Sequence, residues 1–134
     1  MKGRRNFLKT AAFAGGAAAI AGSAKLFGAT SFPAGLVYTR EAPGRWKGRE
    51  GAHVPKVTVS GDTVKIVSTH PMTANHFIVK HTLLTTDGKV LGEKVFTPTD
   101  TPESTFSLPA GYKGPLWVTS FCDLHDLWLA ELTV

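Results

Sequence analysis

The chain has 134 residues, a formal net charge of +5 and a single cysteine. A chain of this length favours one domain with one hydrophobic core over several domains. Four basic residues lie within the first nine positions, and from Lys25 onward eleven basic residues stand against ten acidic ones, which leaves a net charge of +1. A nearly neutral domain gives no indication of nucleic-acid binding.

Residues 1–29 have the pattern of an export signal. Arg4 and Arg5 lie in a basic start, a run rich in alanine and glycine follows, and Ala24 and Ala29 both suit cleavage. The pattern is typical of a twin-arginine signal and predicts a periplasmic mature protein. The alternative is a transmembrane anchor, but the apolar run is short of the roughly 20 residues that a span needs. No membrane attachment of the mature form is expected.

Residues 30–55 are predicted to form an extended arm followed by the loop of a first metal ligand. The segment contains Phe, Pro and Gly without sustained periodicity, and Pro43-Gly44-Arg45-Trp46 is typical of a turn.

Residues 56–134 predict the core of an all-β domain, because short β-branched runs alternate there with turn residues. The seven candidate strands are Lys56–Ser60, Thr63–Thr69, His76–Thr85, Lys89–Phe96, Ser104–Leu108, Leu116–Phe121 and Leu127–Val134. Gly61-Asp62 and Asp87-Gly88 predict hairpin turns. Seven strands without an amphipathic helix predict an immunoglobulin-like β-sandwich, with residues 30–134 as one domain.

One cysteine and four histidines have the composition of a redox metal site. Cys122 lies three residues before His125, and His53, His70 and His76 lie upstream. A thiolate added to imidazole ligands favours a transition metal with a redox role. A lone cysteine in an exported protein is otherwise a reactive thiol or half of an intermolecular bridge. These segments fall in predicted loops or at strand ends, where binding residues are common.

Three strings of this sequence resemble the iron-site motifs of the superoxide reductase family, which includes the neelaredoxins and desulfoferrodoxins. They are His53-Val54-Pro55, His70-Pro71-Met72 with His76-Phe77-Ile78, and Cys122-x-x-His125 with Leu127-Trp128, in the family's order. The resemblance implies a mononuclear Fe²⁺/Fe³⁺ centre with four equatorial ligands, His53, His70, His76 and His125. It also implies Cys122 as the axial ligand, a sixth position open to superoxide, reduction of superoxide to hydrogen peroxide, and the same sandwich fold.

The loop before His53 departs from the family's pattern. The family commonly reads Trp-Lys-Gly-Glu-Lys-His-x-Pro, whereas the segment from Trp46 to His53 is longer by two residues. Glu50 is therefore a candidate for approaching the iron, and Lys47 and Arg49 are candidates for attracting the anionic substrate. Each of the three is also readily explained as an exposed surface charge.

A second departure lies beside the thiolate. Asp123 and Asp126 stand where the family tends to have asparagine and glycine. Two carboxylates there predict slower attraction of superoxide and a shifted reduction potential. His81, in the middle of a candidate strand, is expected to be structural.

Two other functions remain open from the sequence. One is a non-catalytic electron-transfer or redox-sensing iron protein, and the other is a metal-free β-sandwich carrier. A single cysteine excludes the four-cysteine iron domain found in some relatives, so a reductase would need a separate, unidentified electron donor. The sequence leaves the oligomeric state open, a homo-oligomer included.

Overall fold

Eight strands build the part of the chain that the computed structural model describes, residues 31–134. They are β1 (Val37–Tyr38), β2 (Lys56–Ser60), β3 (Thr63–Val67), β4 (Ile78–Thr85), β5 (Val90–Val95), β6 (Glu103–Ser107), β7 (Pro115–Cys122) and β8 (Asp126–Thr133). The predicted export signal at residues 1–29 lies outside the described residues. Within residues 31–134, no helix has the length and apolar character needed to cross a membrane.

The strands form two sheets. One has the order β1-β8-β7-β4-β5 and the other the order β2-β3-β6. Strand β1 runs parallel to β8, and the other pairings are antiparallel. This arrangement confirms the predicted all-β class.

The seven predicted strands are all present, and each end differs from its predicted position by at most two residues. Residues 30–55, predicted as an extended arm followed by the loop of a first metal ligand, have the predicted turn at Pro43–Trp46 but also a strand and a helix that were not predicted. That segment contains β1, a 3₁₀ turn at Gly44–Trp46 and a four-residue helix at Glu50–His53. A strand of two residues and a single helical turn are too short to produce a hydrophobic period, so the sequence pattern did not indicate them.

Both predicted hairpin turns are confirmed. In the β2–β3 hairpin, Ser60 pairs with Thr63, so the loop is Gly61-Asp62, and Gly61 has a φ of 58°. In the β4–β5 hairpin, Gly88 has a φ of 94°. Glycine adopts these positive angles without the steric cost of a side chain.

The inner face of β7 links the hydrophobic core to the cysteine. Leu116 and Val118 of this strand are fully buried and belong to the core that also contains Leu83 of β4. Side chains alternate along a strand, so the same face continues through Ser120 to Cys122. Cys122 is buried as well. Strand alternation therefore places the thiol at the inner end of β7.

An irregularity in β4 adjusts the register beside this thiol. Ile78 pairs with Cys122, but Lys80 pairs with Phe121, so β4 carries one extra residue. A bulge of this kind changes which side chains share a face. As a result Ile78 and His81 both point inward. Strict alternation would have placed these two residues on opposite faces of the strand.

His81 forms the centre of a buried polar cluster between the sheets. Its Nε2 lies 2.8 Å from Ser68 Oγ, and its Nδ1 lies 2.8 Å from Ser104 Oγ. Ser68 Oγ lies 3.0 Å from Ser120 Oγ. Every ring nitrogen therefore has a partner, as a buried histidine requires.

The acid sensitivity of folding is expected to depend on His81. Its pKa is lowered to about 4, chiefly by burial and to a smaller extent by the charge of Lys94. The unfolded chain takes up a proton near pH 6.5, but the folded chain does not until about pH 4, so stability falls as the pH drops through this window. The full loss is roughly 3 kcal/mol. Urea unfolding of the metal-free protein at several pH values measures this loss. His81→Gln should reduce the pH dependence but not abolish it, since the His70 pKa is also lowered to about 4; parallel curves for wild type and variant would contradict the assignment.

Candidate metal centre

Three segments of the chain bring five donor side chains to one end of the sandwich, and the connection between β3 and β4 supplies two of them. His53 ends the short helix Glu50–His53, and His70 follows β3. His76 lies in the turn before β4, where it pairs with Thr73, so the prediction that His76 opens the strand is wrong by two residues. Cys122 ends β7, and His125 lies in the turn from β7 to β8.

The structure brings together all five residues that the sequence indicated as ligands. One donor atom from each of His53, His70, His76, Cys122 and His125 lies within 4.8 Å of every other. His76 is half-buried, and the other four are buried. A cluster of imidazoles and one thiol with this degree of burial has the composition of a transition-metal site.

The four imidazole nitrogens lie at the corners of a square. Its sides are 3.2 Å from His53 Nε2 to His70 Nε2, 3.0 Å from His70 Nε2 to His76 Nε2, 3.0 Å from His76 Nε2 to His125 Nδ1, and 3.1 Å from His125 Nδ1 to His53 Nε2. Sides of this length place the centre about 2.2 Å from each nitrogen, close to a metal–imidazole bond of about 2.0–2.1 Å. The square has the size that a metal ion requires.

The sulfur lies on one side of this square. Cys122 Sγ is 3.6 Å from His70 Nε2 and 3.6 Å from His125 Nδ1, which are opposite corners. Equal distances to opposite corners place the sulfur midway between them, as expected for a fifth donor on one side of the four nitrogens. The four nitrogens and the sulfur therefore suit a metal ion with four imidazole ligands and one thiolate.

The hydrogen bonds of two histidines fix which nitrogen faces the centre. His53 Nδ1 donates to the carbonyl oxygen of Arg49 at 2.8 Å, and His70 Nδ1 donates to that of Pro71 at 2.6 Å. With the proton on Nδ1, each Nε2 presents a lone pair to the centre. Two lone pairs 3.2 Å apart repel each other unless a cation lies between them. The donors thus fit a metal ion, and the backbone orients them as such sites require.

Burial keeps the imidazoles ready to bind a cation. It is the largest cause lowering the pKa of His53 and His125, and it lowers the pKa of His70 to about 4. Burial also raises the pKa of the Cys122 thiol, an effect opposed by backbone hydrogen bonds from His125 and Leu124. The thiolate is the form that binds a metal, so Cys122 gives up a proton when the site fills.

Two tryptophan rings pack against the ligand histidines. The Trp128 ring lies 5.5 Å from the His53 ring, and its Nε1 donates to the carbonyl oxygen of His125 at 2.8 Å. The Trp46 ring meets the His125 ring edge-on, with the centroids 4.6 Å apart. The sequence indicated Trp128 through its motif, but no signal indicated that Trp46 contacts a ligand.

The charged residues of the Trp46–His53 loop lie outside the donor group. Both carboxylate oxygens of Glu50 accept the Gly48 backbone N–H, at 3.1 and 3.0 Å. Hydrogen bonds from the backbone of Glu50 itself and then of Gly48 lower the Glu50 pKa. Lys47 and Arg49 are exposed. After burial, the charge of Arg49 is among the causes that lower the pKa of His53 and His125, whereas Lys47 acts on Glu50. Arg49 is thus the loop cation with an electrostatic effect on the ligands.

The two aspartates beside the thiolate have different surroundings. Asp123 Oδ1 accepts the Phe77 backbone N–H at 3.0 Å, which joins the turn to the start of β4. Asp126 Oδ2 accepts from Arg45 at 2.6 Å and from Trp46 Nε1 at 3.0 Å. Both carboxylates add negative charge beside the thiolate as expected, since the charges of Asp123 and Asp126 are both among the causes that raise the Cys122 pKa, after burial. The Asp126 charge is in addition paired with Arg45.

Known proteins are similar to this chain in sequence and in fold. The sequence model of the family described as Desulfoferrodoxin matches residues 45–131. A desulfoferrodoxin from Syntrophotalea carbinolica is 40% identical over 82 residues, which cover 59% of this chain and 61% of that protein. The superoxide reductase of Pyrococcus abyssi is 33% identical over 66% of this chain and 90% of its own length. The chain thus spans about three fifths of the first relative and nearly all of the second.

A solved structure supports the same relationship. The superoxide reductase (neelaredoxin) of Ignicoccus hospitalis superposes with a TM-score of 0.64 at 27% identity, over 78% of this chain and 98% of that one. The family match includes all five donor residues. This chain therefore belongs to the desulfoferrodoxin family.

Proposed function

We propose that this protein is a superoxide reductase that converts superoxide to hydrogen peroxide at a mononuclear iron. The observation that carries the proposal is the square of four imidazole nitrogens with the Cys122 sulfur on one side of it. Two relatives that this chain covers almost completely are named superoxide reductases. When bound, the iron supplies the single electron that, with two protons, turns superoxide into hydrogen peroxide.

The chain's own residues divide the site into two sides. Cys122 occupies one side of the imidazole square from within the protein, where its sulfur is buried. With iron bound, the Cys122 thiolate would hold the metal from this side and would donate electron density to it, as thiolate ligands do in haem enzymes. The Arg49 and Pro71 carbonyls hold two of the imidazoles in the tautomer that binds. The side away from the sulfur is where a small anion would bind.

The reaction is tested by its stoichiometry. Iron-loaded, reduced protein is mixed anaerobically with one equivalent of superoxide, and peroxide and dioxygen are both measured. Reduction yields one hydrogen peroxide per superoxide and no dioxygen, whereas dismutation yields half as much peroxide together with dioxygen. Electron exchange with small redox partners but no loss of superoxide would instead identify an electron-transfer or sensing protein and overturn the proposal.

Arg49 is proposed to attract the substrate. It is exposed, its charge acts on two ligands, and no lysine stands next to His53. Arg49→Gln is expected to slow the superoxide reaction several-fold at low ionic strength, because local positive potential raises the association rate of an anion. The difference in rate between wild type and Arg49→Gln should shrink at high salt, because salt screens the interaction between exposed charges beyond about 10 Å or less.

Lys89→Gln provides the matched control for Arg49. Lys89 is an exposed cation after β4, at the end of that strand remote from Ile78 and the site. Pulse radiolysis across a range of salt concentrations measures both variants. If Arg49→Gln and Lys89→Gln slow the superoxide reaction equally, or if the wild-type rate does not depend on ionic strength, Arg49 does not attract the substrate.

We further propose that the protein acts in the periplasm after twin-arginine export, with a separate electron donor. Support comes from the Arg4-Arg5 pair, the alanine-rich run after it and the single cysteine. Replacing both arginines by lysine is expected to retain the protein in the cytoplasm, as fractionation with a periplasmic marker would show. Unchanged export would argue against the twin-arginine route.

A further inference from the structure

Asp126 occupies a conformation that side chains rarely adopt. Its φ is 67°, and among the described residues it is the only non-glycine residue with a positive φ. Cys122 pairs with Asp126, so the β7–β8 loop has three residues. Asp126 is thus the first residue after the loop, and glycine is the residue that adopts a positive φ there without steric cost, in agreement with the glycine that the resembling motif has at this position. Aspartate is among the few other residues tolerated there.

The Asp126 carboxylate contacts the loop that carries the first ligand. Oδ2 accepts from Trp46 Nε1 at 3.0 Å and from Arg45 at 2.6 Å. The Arg45 guanidinium also lies 4.7 Å from the centre of the Trp46 ring. The exposed ion pair adds little by itself. The hydrogen bond to the half-buried indole, by contrast, fixes the ring orientation.

We propose that Asp126 is a positioning residue that fastens the Trp46–His53 loop to the Cys122–His125 turn and holds Trp46 edge-on against His125. Trp46 lies at the start of the loop that is two residues longer than the family's pattern. The two departures of this sequence are thus coupled, since the longer loop gains an anchor from the side chain that replaces glycine. The inference rests on the five-donor metal site and not on the reaction performed there.

Asp126→Gly separates positioning from backbone strain. Glycine adopts a φ of 67° without cost, so this variant keeps the turn and removes only the carboxylate. In the metal-free protein, amide hydrogen exchange of residues 45–53 is expected to accelerate about five- to tenfold, while β4 is unaffected. Affinity for Co²⁺, measured by competition with a chelator, should fall about tenfold.

Three comparison variants sharpen the test. Asp126→Asn retains an oxygen for Trp46 Nε1, so amide exchange of residues 45–53 should be slower than in Asp126→Gly. Trp46→Phe keeps an aromatic ring but loses the N–H donor, so exchange in the same loop should accelerate. Asp62→Asn removes an exposed carboxylate from the β2–β3 turn and should change neither readout. Unchanged exchange in Asp126→Gly, or faster exchange with unchanged or tighter Co²⁺ binding, would overturn the inference. Because neither readout involves superoxide, failure here is distinct from failure of the proposed function.

Discussion

Replacing Cys122 by serine is expected to eliminate the sulfur-to-iron charge-transfer band of the oxidised protein and to lower superoxide reduction at least about 100-fold. Partners that only orient a ligand change affinity or activity by about 10–100-fold, so loss of a ligand itself should exceed that range. The hydroxyl of serine is a harder donor than a thiolate and remains protonated, so it does not replace the axial sulfur. Visible spectra before and after oxidation, followed by stopped-flow kinetics, measure both effects.

Ser120→Ala is the control for Cys122→Ser. Ser120 lies two residues earlier on the same buried face of β7 and bonds to Ser68 Oγ, but it is not among the donors. This variant should lose some stability and keep the band. A band that persists in Cys122→Ser, or that disappears equally in Ser120→Ala, would mean that the sulfur is not the axial ligand.

The sequence predicted the ligands because the strings that carry them resemble the iron-site motifs of a known family in residue type and order. Residue type alone indicated only a transition-metal site, since the chain has five histidines and one of them, His81, is not a donor. The strands were equally predictable from the sequence, because β-branched runs between Gly-Asp and Asp-Gly turns are a local signal. Both kinds of signal depend on residues that are close in sequence or rare in composition.

The remaining features depend on tertiary contacts that leave no local pattern. The two-residue strand β1 exists through its parallel pairing with β8. The bulge at Ile78 is a property of two paired strands, so alternation along one of them does not predict that Ile78 and His81 share a face. The sequence indicated the negative charge of Asp126 beside the thiolate, but not its ion pair with Arg45, which is 81 positions away. Charge near a site is predictable from sequence, but a partner from a distant segment is not.

His76 and His81 should respond to substitution in opposite ways. His76 Nε2 lies 3.0 Å from both neighbouring corners of the square, yet its half-buried ring is outside the hydrophobic core. His76→Ala is therefore expected to weaken metal binding at least about 100-fold. The free energy of unfolding of the metal-free protein should change by about 0.5 kcal/mol or less.

His81→Gln is expected to give the reverse result. His81 is fully buried and bonds two serine hydroxyls, but it is not one of the five donors. The shorter amide cannot reach both hydroxyls as the ring does, which should lower the free energy of unfolding by about 1–3 kcal/mol. Metal affinity should stay within about twofold of wild type, because His81 supplies none of the five donor atoms. Urea unfolding with a chelator present, paired with Co²⁺ titration of the folded protein, separates the two quantities. Equal loss of affinity in both variants would show that the metal centre depends on the buried His81 cluster, and the division between ligand and structural histidine would then be wrong.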